Sequence, residues 1–379
     1  MGVTTPGGHM SESTTVPATR LEPASRWAGF LGSVGRAVRP ASFGADPTGE
    51  RLERVLRSPN FRDGSFRNSE PARMIVQKGM VREYFLGAGR RQRYPGTPIQ
   101  VYADTAADLA TPSDTGLRTT WMGHATVFVE IDGHRVLFDP VWGKRCSPFT
   151  FAGPGRFHPV PVALDALDPD VVVISHDHYD HLDMPSIRAL VSSRAVFAVP
   201  LGVGAHLEYW GVPAGRIVEL DWDESAEVAG LGLTATPARH FCGRGIRNGT
   251  HTLWASWAVA GPEHRVFHSG DTGYFAGFAT IGAQHGPFDL TMIQIGAYSE
   301  FWPDIHMTPE EGVQAHADLA GAALLPIHWG TFNLALHPWN EPADRTLASA
   351  RQAGARVAIP RPGQPFEPTL AAPTAAWWR

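Results

Sequence analysis

The stretch VVVISHDHYDHLD, Val171 to Asp183, constrains this chain more than any other. Val171 to Ile174 form an unbroken apolar run that reads as a strand buried on both faces. It runs directly into His176, His178, Asp180 and His181. A buried strand that ends in four metal-capable side chains demands a reason. His176 and His178 stand two apart at the strand end and project from the same side, so they can grip one metal ion. Asp180 and His181 follow where the chain turns into the next helix, and they do not easily reach the same ion in a tetrahedral arrangement. A second ion nearby is the economical solution.

Each ion then needs further ligands. Three later segments offer them in the same setting of strand followed by loop: His240 in TPARHFCGRG, Asp271 in FHSGDTGYF and His328 in LLPIHWGTF. A lone histidine is more often an ordinary surface or core residue. Here that explanation requires four metal-capable residues to cluster within six positions and three more to fall at strand ends by accident. His9, His134, His158, His206, His251, His264, His285 and His337 lack such a setting and are expected to be ordinary. Cys242, two residues past His240, is not expected to ligate.

The surrounding pattern predicts strands over TTWMGHATVFVEI, one run, and over HRVLFDPVW after an Asp132-Gly133 hairpin turn. MPSIRALVSS reads as a helix, AVFAVP as a strand, and GVGAHLEYWG as a helix closed by Gly211. GLGLTATPA, TLWASWAVA, RVFHSG, DLTMIQIG and AALLPIHWG read as strands, with TPEEGVQAHADLAG a capped helix before the last. Strand runs on both sides of helical segments point to an α/β fold of two sheets with helices packed outside.

With 379 residues, 43% of them apolar, the chain can bury a sizeable core. A net charge of -5 and a pI near 6.4 provide no basic field for nucleic acid. Two cysteines, Cys146 and Cys242, are too few for a disulfide framework and are expected to be reduced thiols. No apolar stretch reaches the roughly 20 residues needed to cross a bilayer. The first residues lack a basic segment followed by an apolar one, so a cytoplasmic protein is expected.

Residues 1–43 read as a mostly disordered arm, rich at first in Thr, Ser, Gly and Pro. Within it, Trp27, Phe30, Leu31, Val34 and Val38 recur at the spacing of a short amphipathic helix, which Gly29, Gly32 and Gly35 weaken by about 1 kcal/mol each. Docking on the protein's own core is expected there, with contact at a membrane surface the lesser alternative. Residues 44–379 are expected to form a single domain.

The segments TWMGHATVFVEIDG, ISHDHYDHLD, PARHFCGRG, HSGDTGYF, GPFDLTMIQIGAY and LPIHWGTF together resemble the metallo-β-lactamase fold superfamily. Within it they resemble the N-acylphosphatidylethanolamine-hydrolysing phospholipase D branch, bacterial relatives included, from about Ser58 to about Pro342. The resemblance implies a four-layer αβ/βα sandwich. It implies one zinc ion held by His176, His178 and His240, another by Asp180, His181 and His328, and Asp271 bridging the two. Imidazole and carboxylate donors also suit iron or manganese.

Two such cations lower the pKa of a shared water and neutralise charge on the group attacked. The reaction implied is hydrolysis of a small-molecule or lipid phosphodiester; a lipid substrate would bring the cytoplasmic protein into peripheral contact with the inner membrane surface. His306, in DIHMTPEE, is expected to contact substrate, as an imidazole able to donate to a developing oxyanion or leaving group. Asp139 is expected to orient a ligand imidazole. His124 is expected either to support the ligands from behind or simply to be buried. The segment YSEFWPDIH, Tyr298 to His306, is shorter than in the mammalian phospholipase, which bears on the lipid site. Two alternatives remain: a lactonase or β-lactamase-like hydrolase using the same metals, and a non-enzymatic metal-binding sensor. Structural zinc sites are closed by four protein side chains, which speaks against the sensor.

Overall fold

The computed structural model describes residues 1–2, 40–73, 87–245, 250–373 and 375–379. The helix expected between Arg26 and Val38 lies outside the described residues.

Two sheets face one another. A short hairpin, β1 (Phe61–Arg62) and β2 (Ser65–Phe66), precedes them. The first sheet joins β3 (Leu117–Gly123), β4 (Thr126–Ile131), β5 (His134–Phe138), β6 (Val171–Val173), β7 (Val196–Pro200), β8 (Ile217–Leu220) and the late strand β15 (Pro365–Phe366), in the order β15-β3-β4-β5-β6-β7-β8. The second holds β9 (Ser225–Val228), β10 (Leu231–Thr236), β11 (Ser256–Ala260), β12 (Arg265–His268), β13 (Phe288–Gln294) and β14 (Gly321–Ile327), ordered β14-β13-β12-β11-β10-β9. In both, antiparallel hairpins give way to parallel strands, β5 to β8 and β12 to β14.

The alternation along β6 shows how the layers arise. Val171 and Val173 point into the core between the sheets, with Leu233, Val259 and Leu290 opposite. Val172 points the other way and packs with Ile187, Leu190 and Leu207 from the helices Met184–Leu190 and Gly204–Tyr209. On the far side, Phe267, Ile293 and Leu324 meet Phe278, Val313 and Ala350 from the helices Gly277–His285, Pro309–Asp318 and Glu341–Ala353. The result is the expected helix, sheet, sheet, helix sandwich. The helix Pro309–Asp318 opens with a capping box: the Thr308 side chain accepts from Glu311 N, and the Glu311 side chain accepts from Thr308 N.

One expectation is corrected. TTWMGHATVFVEI is not one strand but two, β3 and β4, folded back on each other at His124-Ala125. Gly123 has φ 109° and His124 φ 55°, backbone that a continuing strand does not adopt. A Cβ at Gly123 would stand 2.7 Å from the His158 ring and 2.9 Å from Thr331 Oγ1. The turn therefore requires glycine, and it carries His124 to one rim of the sandwich.

Candidate metal centre

Each candidate ligand follows the C-terminal end of a strand on that rim. His176 and His178 follow β6, His240 follows β10, Asp271 follows β12, and His328 is the first residue after β14. Asp180 and His181 lie on the turn before the helix Met184–Leu190. His328 and Asp139 share the left-handed backbone of His124, at φ 64° and 42°. Sparsely populated backbone of this kind clusters at functional sites because the surrounding packing enforces it.

All seven residues converge. His176, His178, His240 and Asp271 offer donor atoms within 4.8 Å of one another, and so do Asp180, His181 and His328 together with His124. In the first set His178 Nδ1 lies 2.9 Å from His176 Nε2 and 3.3 Å from His240 Nε2. Asp271 Oδ2 completes it at 3.9 Å from His176 Nε2 and 3.8 Å from His240 Nε2. The same oxygen lies 3.1 Å from His181 Nε2 and 3.1 Å from His328 Nε2, while Asp180 Oδ2 is 3.5 Å and 3.3 Å from those two nitrogens. Donors at about 2.05 Å from a tetrahedral ion stand about 3.3 Å apart. These spacings straddle that value in both sets, and Asp271 Oδ2 is common to both.

The donor chemistry also fits a cation. Asp271 Oδ1 is buried without a hydrogen-bond partner, and buried His181 Nε2 faces only the carboxylate oxygens of Asp271 and Asp180 at 3.1 and 3.5 Å, a setting that suits a cation. Asp139, fully buried at the end of β5, accepts from His181 Nδ1 at 2.7 Å, from Ser175 N at 2.7 Å and from Ser175 Oγ at 2.6 Å. This keeps a proton on Nδ1 and makes Nε2, which faces Asp271, the nitrogen that would meet an ion. His240 Nδ1 similarly donates to Ile305 O at 3.0 Å. His124 Nε2 bonds Asp180 Oδ2 at 2.8 Å, and its ring packs 4.0 Å from that of His328. His306 sits at the edge, its ring 5.2 Å from both His240 and His328, with Nδ1 enclosed and unpartnered.

Electrostatics divide these imidazoles. Burial pushes His176 and His240 well below the ordinary value, and neighbouring imidazoles add to the effect. Burial likewise lowers His306 and His124 to about 3. For His181 burial acts in the same direction, yet the carboxylates of Asp271, Asp180 and Asp139 outweigh it and hold the ring well above its usual range. Asp180 and Asp271 are held well below the carboxylate range by those same imidazoles, against the effect of burial.

Several supports have no signature in the sequence. Asn68 clamps His240 on both sides, its Oδ1 accepting from His240 N at 3.0 Å and its Nδ2 donating to His240 O at 2.8 Å. Buried Arg244 donates through Nη1 to Asp177 O and Leu182 O, both at 2.6 Å, and stacks over the Tyr179 ring, so it fastens the loop that carries four candidate ligands. Asp177, between two ligands, turns away from them to accept from Gly243 N and Thr252 Oγ1, both at 2.8 Å. Cys146 and Cys242 are buried and not joined in a disulfide, and burial pushes the Cys242 thiol up to about 12. Neither belongs to a cluster of metal-capable groups among the described residues.

Comparison with known proteins shows the family. A family model described as beta-lactamase superfamily domain matches residues 134–329. Uncharacterized protein Rv0906 of Mycobacterium tuberculosis is 51% identical over 90% of this chain and 92% of its own length. N-acyl-phosphatidylethanolamine-hydrolyzing phospholipase D 1 of Caenorhabditis elegans is 40% identical over 67% of this chain and 75% of its own. Among solved structures, Igni18, a metallo hydrolase from Ignicoccus hospitalis, superposes with a TM-score of 0.51 at 24% identity, covering 66% of this chain and 98% of that one. With its two-sheet sandwich and the histidine and aspartate clusters on one rim, the chain belongs to the beta-lactamase superfamily as one of its metal-dependent hydrolases.

Proposed function

We propose that this hydrolase cleaves a phosphodiester in the manner of a phospholipase D, with two zinc ions as cofactor and a lipid such as an N-acylphosphatidylethanolamine as substrate class. The observation that carries the reading is the position of Asp271 Oδ2, within 3.1–3.9 Å of imidazole nitrogens from both donor sets. One ion would be held by His176, His178 and His240, the other by Asp180, His181 and His328, with Asp271 shared. Ions held there supply Lewis acidity toward phosphoryl oxygens and acidify water near neutral pH.

The chain's own residues do the rest. Asp139 holds the His181 ring in the tautomer that leaves Nε2 free, and His124 pins the Asp180 carboxylate. Arg244 and Asn68 keep the ligand backbone from relaxing. His306, neutral at physiological pH because burial depresses it, is placed to donate an N–H to a developing negative charge or to the leaving oxygen. The donor sets contain no thiolate, and imidazole with carboxylate keeps both positions suited to oxygen-rich, anionic substrates. The 40% identity to a worm enzyme named for phospholipase D activity supports the same substrate class.

The test is a substrate panel on zinc-loaded protein. Hydrolysis of bis(p-nitrophenyl) phosphate, slower cleavage of an N-acylated phosphatidylethanolamine and little action on penicillins are expected. Efficient opening of lactones or β-lactams with every phosphodiester untouched would replace this reading by the carbonyl one. His306→Ala should lower the rate with metal content unchanged.

A further inference from the structure

We propose that the hairpin spanning Lys144 to Arg156 docks the protein on an anionic lipid surface and presents the metal centre to it. This rests on the lipid-phosphodiester reading for its purpose, though not for its evidence.

The hairpin is a rigid projection. Its stem is closed by an antiparallel bridge between Arg145 and Gly155, by Cys146 N donating to Pro154 O at 3.2 Å, and by Arg156 N donating to Lys144 O at 3.0 Å. Arg145 Nη1 ties the turn to Gly153 O at 2.6 Å, and Ser42 Oγ donates to Pro148 O at 2.9 Å. The tip reads Ser-Pro-Phe-Thr-Phe-Ala-Gly, and Phe149 and Phe151 stand 41% and 80% exposed with their rings 5.6 Å apart. Single exposed apolar residues are ordinary. Two phenylalanines at the end of a braced hairpin are not: Phe149 meets the Phe43 ring edge-on at 6.5 Å, but Phe151 gains little from burial.

Charge selects the partner. The chain is acidic overall, at -5, yet from Pro140 to Leu164 it has no aspartate or glutamate, and it carries exposed Lys144 and half-buried Arg145, while the Arg156 guanidinium turns inward onto Val141 O and Gly143 O. Beside the stem, Tyr94 packs its exposed ring 5.8 Å from that of Phe157, and it ends the short helix that bears exposed Arg90 and Arg91. Exposed aromatic rings beside cations, on a stretch with no acid of its own, match an anionic lipid interface, where rings enter the headgroup region and cations meet the surface potential.

Position links this surface to the site. At the stem, Cys146 packs with Val141, Phe332 and Tyr179. Phe332 contacts the His124 ring at 5.2 Å, and Tyr179 lies between His178 and Asp180, the more accessible members of the two donor sets. On the other flank Phe241, 37% exposed, packs its ring 4.6 Å from that of His178. The hairpin stem thus shares a packed cluster with residues beside both donor sets, and one exposed ring, Phe241, lies against His178.

The experiment is co-sedimentation of the full-length, zinc-loaded protein with vesicles of phosphatidylcholine, with and without phosphatidylglycerol, at low and high salt. Two variants are compared with wild type, Phe149→Ser/Phe151→Ser and Lys144→Glu/Arg90→Glu, together with turnover of soluble bis(p-nitrophenyl) phosphate. Wild type should bind the anionic vesicles, more weakly as salt rises. Both variants should bind at least tenfold more weakly while turning over the soluble substrate at the wild-type rate.

Wild type that ignores anionic vesicles, or variants that bind as wild type does, would overturn the proposal. So would a concentration-dependent dimer that the phenylalanine variant abolishes, which would assign the hairpin to a second copy of this chain. Vesicle binding lost in the variants, in a protein that hydrolyses no phosphodiester, would leave the docking surface standing and remove the substrate reading instead.

Discussion

Replacing Asp139 by asparagine tests how the second donor set is built. Asp139 sits at φ 42°, a conformation asparagine tolerates well, so the backbone should survive the change. The carboxylate receives three donors: Ser175 N at 2.7 Å, Ser175 Oγ at 2.6 Å and His181 Nδ1 at 2.7 Å. An asparagine offers one acceptor oxygen and one donor nitrogen in the same place. If Nδ2 faces His181, the imidazole proton must move to Nε2, which then cannot ligate. If the amide turns over, Nδ2 meets the amide of Ser175 and leaves buried donors unpaired. Either outcome costs about 1–3 kcal/mol, which converts to roughly 5- to 150-fold in affinity. That agrees with the roughly 10- to 100-fold typical for losing the partner of a ligand histidine.

A competition titration of the metal-free protein with zinc and a chromophoric chelator at pH 7.5 reads this directly. The variant should bind one ion with wild-type affinity and the other about 10- to 100-fold more weakly, with the fold intact by circular dichroism. Two ions bound at wild-type affinity, or equal weakening of both, would refute the assignment of Asp139 to the second donor set through His181.

Asp177→Ala should keep both ions but lose about 2–4 kcal/mol of stability by chemical denaturation, since Gly243 N and Thr252 Oγ1 lose a buried acceptor. Burial pushes Asp177 up, but His206 and the hydrogen bonds to it hold it well below the usual range. Its folded pKa is therefore depressed, and its contribution, present above pH 4, is lost as pH falls. Acid unfolding of the alanine variant should accordingly be less steep in pH than that of wild type. Gly123→Ala should cost about 2–4 kcal/mol through left-handed backbone strain and overpacking against His158, read as a lowered thermal midpoint. In metal-free protein the depressed His176, His240, His124 and His306 outnumber the raised His181 and His328. Depressed histidines contribute stability above their unfolded value near 6.5, so the midpoint after chelation should fall between pH 7 and 5.5. An unchanged midpoint over that interval would count against buried neutral rings.

The parts legible in the sequence are those whose chemistry is local. The apolar run of Val171 to Ile174 announces its strand, and Thr308 with Glu311 announces its helix start. The seven ligand candidates are recognisable because each follows a strand and carries a donor side chain. The turn at His124 was hidden because β-branched and aromatic residues flank it on both sides, and only Gly123 hints that the run breaks. The brackets around the ligands were hidden for another reason. Asn68 meets His240 across 172 positions, and Arg244 meets Asp177 across 67. No local pattern marks such pairs, because a buried polar side chain finds its partner only after the sheets have packed. Asp177 illustrates the same limit: alternation turns it from the ions, while nothing local indicates the partners that bury it.

The central claim is that Asp271 is shared by two metal positions. Metal content per chain, measured by elemental analysis on zinc-loaded wild type and Asp271→Ala after gel filtration, tests it most directly. The account predicts two ions per chain in wild type and loss of both, or retention of only weakly held zinc, in the variant. One tightly held ion in wild type even after zinc supplementation, or a variant that still carries two, would contradict it.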